Sequence, residues 1–61
     1  MSWDNAYNEG YNDGYNAAIA GQSINYHNIP FFRALISNNA QETYIEGYNE
    51  GYRIGKRDQK R

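Results

Sequence analysis

The residues with capacity for chemistry fall into a few sets. Glu9/Asp13 and Glu46/Glu50 have the four-residue spacing at which two carboxylates share a helix face and could share a metal. No Glu-x-x-His accompanies them, as a di-iron bundle would require, so they read as a solvated stripe and no metal or cofactor is expected. The single histidine, His27, lies in a polar stretch beside Asn25 and Asn28, and the chain has no cysteine and no serine in a nucleophile elbow. Glycines spaced by four inside helical stretches are not a phosphate-cradling loop. Catalysis on a small-molecule substrate is therefore not expected.

Charge is the next candidate. The formal net charge of −1 hides a split. Residues 1–50 carry Asp4, Glu9, Asp13, Glu42, Glu46 and Glu50 against Arg33 alone. The stretch 53–61 carries Arg53, Lys56, Arg57, Lys60 and Arg61 against Asp58. Such a basic tail could meet phosphate, and it also suits the negative end of a helix dipole. Seven tyrosines in 61 residues are the other anomaly. A tyrosine can stack on a base, anchor a protein interface, or stand in for leucine between helices.

The elements that must position these groups come from an internal repeat. Tyr7–Ala18 aligns without gaps on Tyr44–Gly55 at an offset of 37 residues, with seven of twelve positions identical. Tyr recurs every fourth residue (Tyr7, Tyr11, Tyr15; Tyr44, Tyr48, Tyr52), with Gly one residue before the later members (Gly10, Gly14; Gly47, Gly51). The intervening Asn, Asp, Glu, Gly and Ala are depleted in strands, so the four-residue period is helical. Five glycines inside helices, Gly55 included, cost about 4 to 5 kcal/mol relative to alanine. Close packing must offset this: small residues spaced by four let helix backbones approach, and tyrosine rings from one cover the bare patch on the other. On the first repeat helix, Trp3, Tyr7, Tyr11, Tyr15 and Ile19 form an aromatic row beside the small row Ala6, Gly10, Gly14 and Ala18.

The expected architecture is all-α, one domain over residues 1–61: two long antiparallel helices, about 4–20 and 40–57, packed through their Tyr/Gly faces. A short helix near 30–37 opens at Pro30 and plugs the pair with Phe31, Phe32, Ala34, Leu35 and Ile36. Gly21 ends the first helix, and Asn38 and Asn39, with Gln41 and Glu42 at capping-box spacing, start the last. A thin core without a disulfide leads one to expect a partner or a homodimer. The longest apolar run, Ala17–Ala20, is too short for a membrane span, and the Met1–Asp4 start has no signal-peptide character, so a cytoplasmic protein without membrane contact is expected.

The stretch Gly14-Tyr15-Asn16-Ala17-Ala18-Ile19-Ala20-Gly21-Gln22-Ser23 resembles the ribosome modulation factor family, with its Gly-Tyr-x-Ala-Gly-x-Ala-Gly-x-Ser pattern. Asn28-Ile29-Pro30-Phe31 looks like that family's loop with proline before an aromatic residue, and Tyr44-Ile45-Glu46-Gly47-Tyr48 like its aromatic-x-x-Gly-aromatic element. The spacing from Pro30 to Tyr44 is longer than the family's, tyrosine stands where tryptophan is usual, and the body is acidic rather than basic. The resemblance implies a small helical protein that binds the ribosome's small subunit at ribosomal RNA and modulates translation. RNA contact would then run through Arg53, Lys56, Arg57, Lys60 and Arg61. The alternative is a small acidic inhibitor or adaptor that binds a protein, of the kind viruses encode, through Glu9, Asp13, Glu46, Glu50 and Tyr26.

Overall fold

A computed structural model describes residues 3–60, and side chains from Asn5 to Lys60. Trp3 and Asp4 contribute only their helical backbone here, and Arg61 lies outside the described residues. Three helices follow in order: α1 (Trp3–Ile19), α2 (Pro30–Ala34) and α3 (Asn38–Gln59). Among the described residues there is no strand. The two long helices pack against each other and the short one lies between them in sequence, as expected.

Their direction is not as expected. A Cβ built on Gly47 would strike the Tyr7 carbonyl, one on Gly51 the Tyr11 carbonyl, and one on Gly55 would lie 2.8 Å from the Tyr15 carbonyl. From the other side, Gly10 meets the Tyr44 carbonyl and Gly14 that of Tyr48. Partner numbers rise together along both helices, so α1 and α3 are parallel, which corrects the antiparallel arrangement. At the far end the Gln59 side chain donates to the Ile19 carbonyl at 3.3 Å. Residues 20–37 make this possible. A helix as long as α1 rises about 25 Å, and a connection of that length, extended, spans about 60 Å.

The contacts also carry the 37-residue repeat into space. Gly10 against Tyr44 and Gly47 against Tyr7 are the same contact with the helices exchanged, as are Gly14 against Tyr48 and Gly51 against Tyr11. The pair is thus related by an internal two-fold axis along the helices, the geometry of a symmetric parallel dimer joined into one chain. Each of these glycines is buried. At Gly10, Gly14, Gly47 and Gly51 the neighbour is backbone, which cannot yield to a methyl group.

The return segment breaks the symmetry by covering only one flank. It runs back along α3: the Tyr52 hydroxyl donates to the Gln22 carbonyl (2.6 Å), the Asn25 N–H donates to the Tyr48 hydroxyl (3.4 Å), and Phe31 stacks on Tyr44 with centroids 5.8 Å apart. Tyr44 and Tyr48 are consequently buried, whereas Tyr7, Tyr11 and Tyr15 on the other flank stay half-exposed. The core is Ala6, Ala17, Ala18, Phe32, Leu35, Tyr44 and Tyr48. Three expected plug residues are not in it: Phe31 is half-buried and packs against it. Ala34 is exposed, and Ile36, beyond the end of α2, is 96% exposed.

Helix ends follow local rules. Gly21 has φ 75°, and the bonds Gln22 N–H to the Ala17 carbonyl (2.9 Å) and Gly21 N–H to the Ala18 carbonyl (3.0 Å) form a Schellman closure of α1. Pro30 occupies the first turn of α2. The cap of α3 is Ser37, one residue ahead of the expected asparagines, with its hydroxyl accepting from the Ala40 N–H at 3.4 Å. Gln41 is not part of a capping box; its amide donates to the Leu35 carbonyl at 2.7 Å and holds the entry of the chain into α3.

Candidate nucleic-acid interface

Four of the five expected phosphate-binding residues come together. Arg53, Lys56, Arg57 and Lys60 stand at i, i+3, i+4 and i+7, one face of the last two turns of α3, and all four are exposed. α3 reaches Gln59 rather than the expected end near Lys56–Arg57, so the basic stretch is helix rather than tail. The helix spaces the cations regularly. Lys56 and Arg57 lie in its last turn, where they also complement the carbonyl end of the dipole.

Arg53, Arg57 and Lys56 each have a close neighbour. Arg53 and Glu50 form an i, i+3 pair at 2.6 Å, which holds the Glu50 carboxyl below its usual range and raises Arg53. Arg57 lies 3.5 Å from Asp58, and the Lys56 ammonium sits 5.5 Å from the centre of the Tyr52 ring. Both ion pairs are at the surface, where such pairs are worth little and yield to a competing phosphate. Asp58 is occupied on its other side: the Tyr15 hydroxyl donates to its Oδ2 at 2.7 Å, and this bond is the main reason the Tyr15 pKa is raised.

The residues of the protein-binding alternative do not assemble in this way. Glu9 and Glu46 are exposed, and Glu50 is drawn to Arg53. Tyr26 packs edge-on against Phe32 and Tyr48, centroids 5.1 and 5.5 Å away. Asp13 is half-buried rather than part of a solvated stripe: the Tyr44 hydroxyl donates to its Oδ2 at 2.7 Å. Burial first, and this bond second, push the Tyr44 pKa well above that of a free phenol. The need to satisfy a buried tyrosine hydroxyl explains the placement of Asp13, and the Tyr44 spacing alone did not reveal it.

Of the helix-packing set, Gly10, Gly14, Gly47 and Gly51 are buried at the seam against tyrosine backbone rather than the expected tyrosine rings, and Tyr44 and Tyr48 are buried beneath the return segment. Tyr7, Tyr11, Tyr15 and Tyr52 flank it half-exposed. Among the described residues no group of His, Cys, Asp and Glu side chains could hold a metal ion, and no helix is long and apolar enough to cross a membrane. No family model, curated protein or solved structure matches the chain.

Proposed function

We propose that the protein binds RNA through the basic face of α3 and acts as a ribosome-associated modulator of translation in the cytoplasm. The observation that supports the reading best is the exposure of Arg53, Lys56, Arg57 and Lys60 on one face of one helix. A rigid helix presents four cations at regular intervals, which suits successive phosphates of a strand. The resemblance to the ribosome modulation factor family suggests ribosomal RNA as the target. Acidic residues lie mostly outside this face; Glu42 and Glu46 belong to the N-terminal half of α3. They would steer a polyanion toward the C-terminal end rather than along the whole helix.

Binding of a labelled single-stranded RNA should weaken as salt is raised. Three or four phosphate contacts correspond to a slope of about −2 to −3 in log K against log salt. Replacing Lys56, Arg57 and Lys60 together by glutamine, which leaves at most the Arg53 contact, should shrink that slope to about −0.7 or less in magnitude without lowering the melting temperature appreciably. Capture from a lysate with and without nuclease then identifies the target. Ribosomal proteins and RNA retained by the parent and lost by the triple variant fit the proposal, whereas one non-ribosomal protein retained by both baits replaces it with the protein-binding reading.

A further inference from the structure

A cleft of about 600 Å³ lies between α1 and the return segment, walled by Ala17, Ala20, Ile29 and Tyr48 and edged by Asp13 and Asn16. The internal repeat allows a position-by-position comparison of the two helices. At the positions 37 residues later, Ile54 stands for Ala17 and Arg57 for Ala20, and the Glu50–Arg53 ion pair stands for Asp13 and Asn16. On α3 these positions carry larger side chains and the acid is paired, and no return segment covers that flank. α1 leaves the space open with two alanines and places an amide where α3 has a guanidinium. Asp13 keeps one oxygen on the Tyr44 hydroxyl and has no cation at the equivalent position.

The cleft adjoins the cationic face. Gln22, on its rim, accepts the Tyr52 hydroxyl at 2.6 Å, and the Lys56 ammonium lies over that same tyrosine ring. A ligand seated in the cleft would thus have a phosphate-binding cation one aromatic ring away. The walls are apolar, formed by Ala17, Ala20 and Ile29 with the edge of the buried Tyr48, and the rim carries a carboxylate that can only accept hydrogen bonds together with amides that can donate or accept.

We infer that the cleft takes one unstacked guanine base of a single-stranded RNA whose phosphates run over Lys56 and its neighbours. The inference rests on the RNA-binding reading above. Guanine is the base whose Watson–Crick edge offers two adjacent N–H donors, N1–H and the 2-amino group, and a carboxylate is their natural acceptor. Unstacked bases read on that edge against apolar and aromatic walls are the usual mode of sequence-specific RNA recognition.

The test is fluorescence anisotropy at low salt with three labelled hexamers: all-uridine, the same with one central guanosine, and the same with inosine, which lacks the 2-amino group. The parent should bind the guanosine hexamer about tenfold tighter than all-uridine, the scale of one good bidentate base contact. Inosine should lose most of that preference. Asp13→Asn, which still offers Tyr44 an acceptor, and Ala20→Leu, which fills the cleft from an exposed position, should each erase the preference while leaving all-uridine binding unchanged. If either variant melts early in circular dichroism, the other variant and the inosine comparison on the parent decide. Equal affinity for the three hexamers, or a guanosine preference surviving in a folded variant, overturns the cleft assignment and leaves RNA binding standing. No binding of any hexamer overturns both.

Discussion

At the residue scale the two kinds of glycine in this chain predict opposite readings of one substitution. Gly10 and Gly51 sit where a Cβ would collide with the backbone of the facing helix, while at Gly21 the nearest atom, the Gln59 amide, is 3.7 Å away. Helix propensity alone would make Gly10→Ala about 1 kcal/mol more stable. Backbone overpacking should instead make it less stable by about 1 to 3 kcal/mol. Gly21→Ala meets no neighbour but must hold φ 75°, a left-handed conformation that costs about 1 to 2 kcal/mol. Urea denaturation of the variants checks both; a Gly10→Ala variant more stable than the parent would remove the close-contact argument. Tyr44 sets a second expectation. Its folded-state pKa is raised, so its contribution is fully present below the free phenol value near 10 and is lost as pH rises beyond it. Above about pH 10 this one group should lower stability by about 1.4 kcal/mol per pH unit. Urea midpoints measured at pH 8 and at 10.5 should show the fall, and Tyr44→Phe should reduce it.

At the element scale, α3 depends on its cap and α1 on its closure. Ser37→Ala removes the acceptor for the Ala40 N–H and should cost about 0.5 to 1 kcal/mol, read as a lower melting temperature, whereas Asn38→Ala should be close to neutral. The helices themselves were legible from the tyrosine and glycine spacing, and so was the close approach, because five glycines inside helices have few other reasons to be there. The start of α2 was legible from Pro30. Direction was not. A repeat that is the same in both helices fits either orientation, and a tyrosine facing a glycine looks alike in both. What accompanies the parallel arrangement is the residue 20–37 connection, which runs back along α3 with Tyr26 against Tyr48 and with Phe31 and Phe32 against Tyr44. The cap moved by one residue because Ser37 competes with two asparagines, and sequence spacing does not rank them.

At the scale of the whole molecule, the parallel pairing sets everything else. It puts Tyr44 opposite Asp13, leaves one tyrosine flank covered and the other half-exposed, and brings the cleft and the basic face to either side of Tyr52. The basic face was legible as a run of charge; the cleft was not, because it depends on where the return segment lies against Ala17 and Ala20. Ile24 is 50% exposed and Ile36 96%. With so small a core, we propose that the chain also self-associates at micromolar concentration, which sedimentation would show as a mass above that of the monomer. A monomer throughout would remove that proposal without touching the fold.

The direction of the two helices is the claim on which the rest stands, and the absence of cysteine makes it directly measurable with paired labels. Asn8, Glu42 and Lys60 are exposed, the first early in α1 and the others at opposite ends of α3. Spin labels at 8 and 42 and at 8 and 60, read by pulsed dipolar spectroscopy, compare the two ends. At a rise of 1.5 Å per residue, the parallel pair predicts that the 8–60 distance exceeds the 8–42 distance by on the order of 10 Å. An 8–60 distance shorter than the 8–42 distance would contradict it.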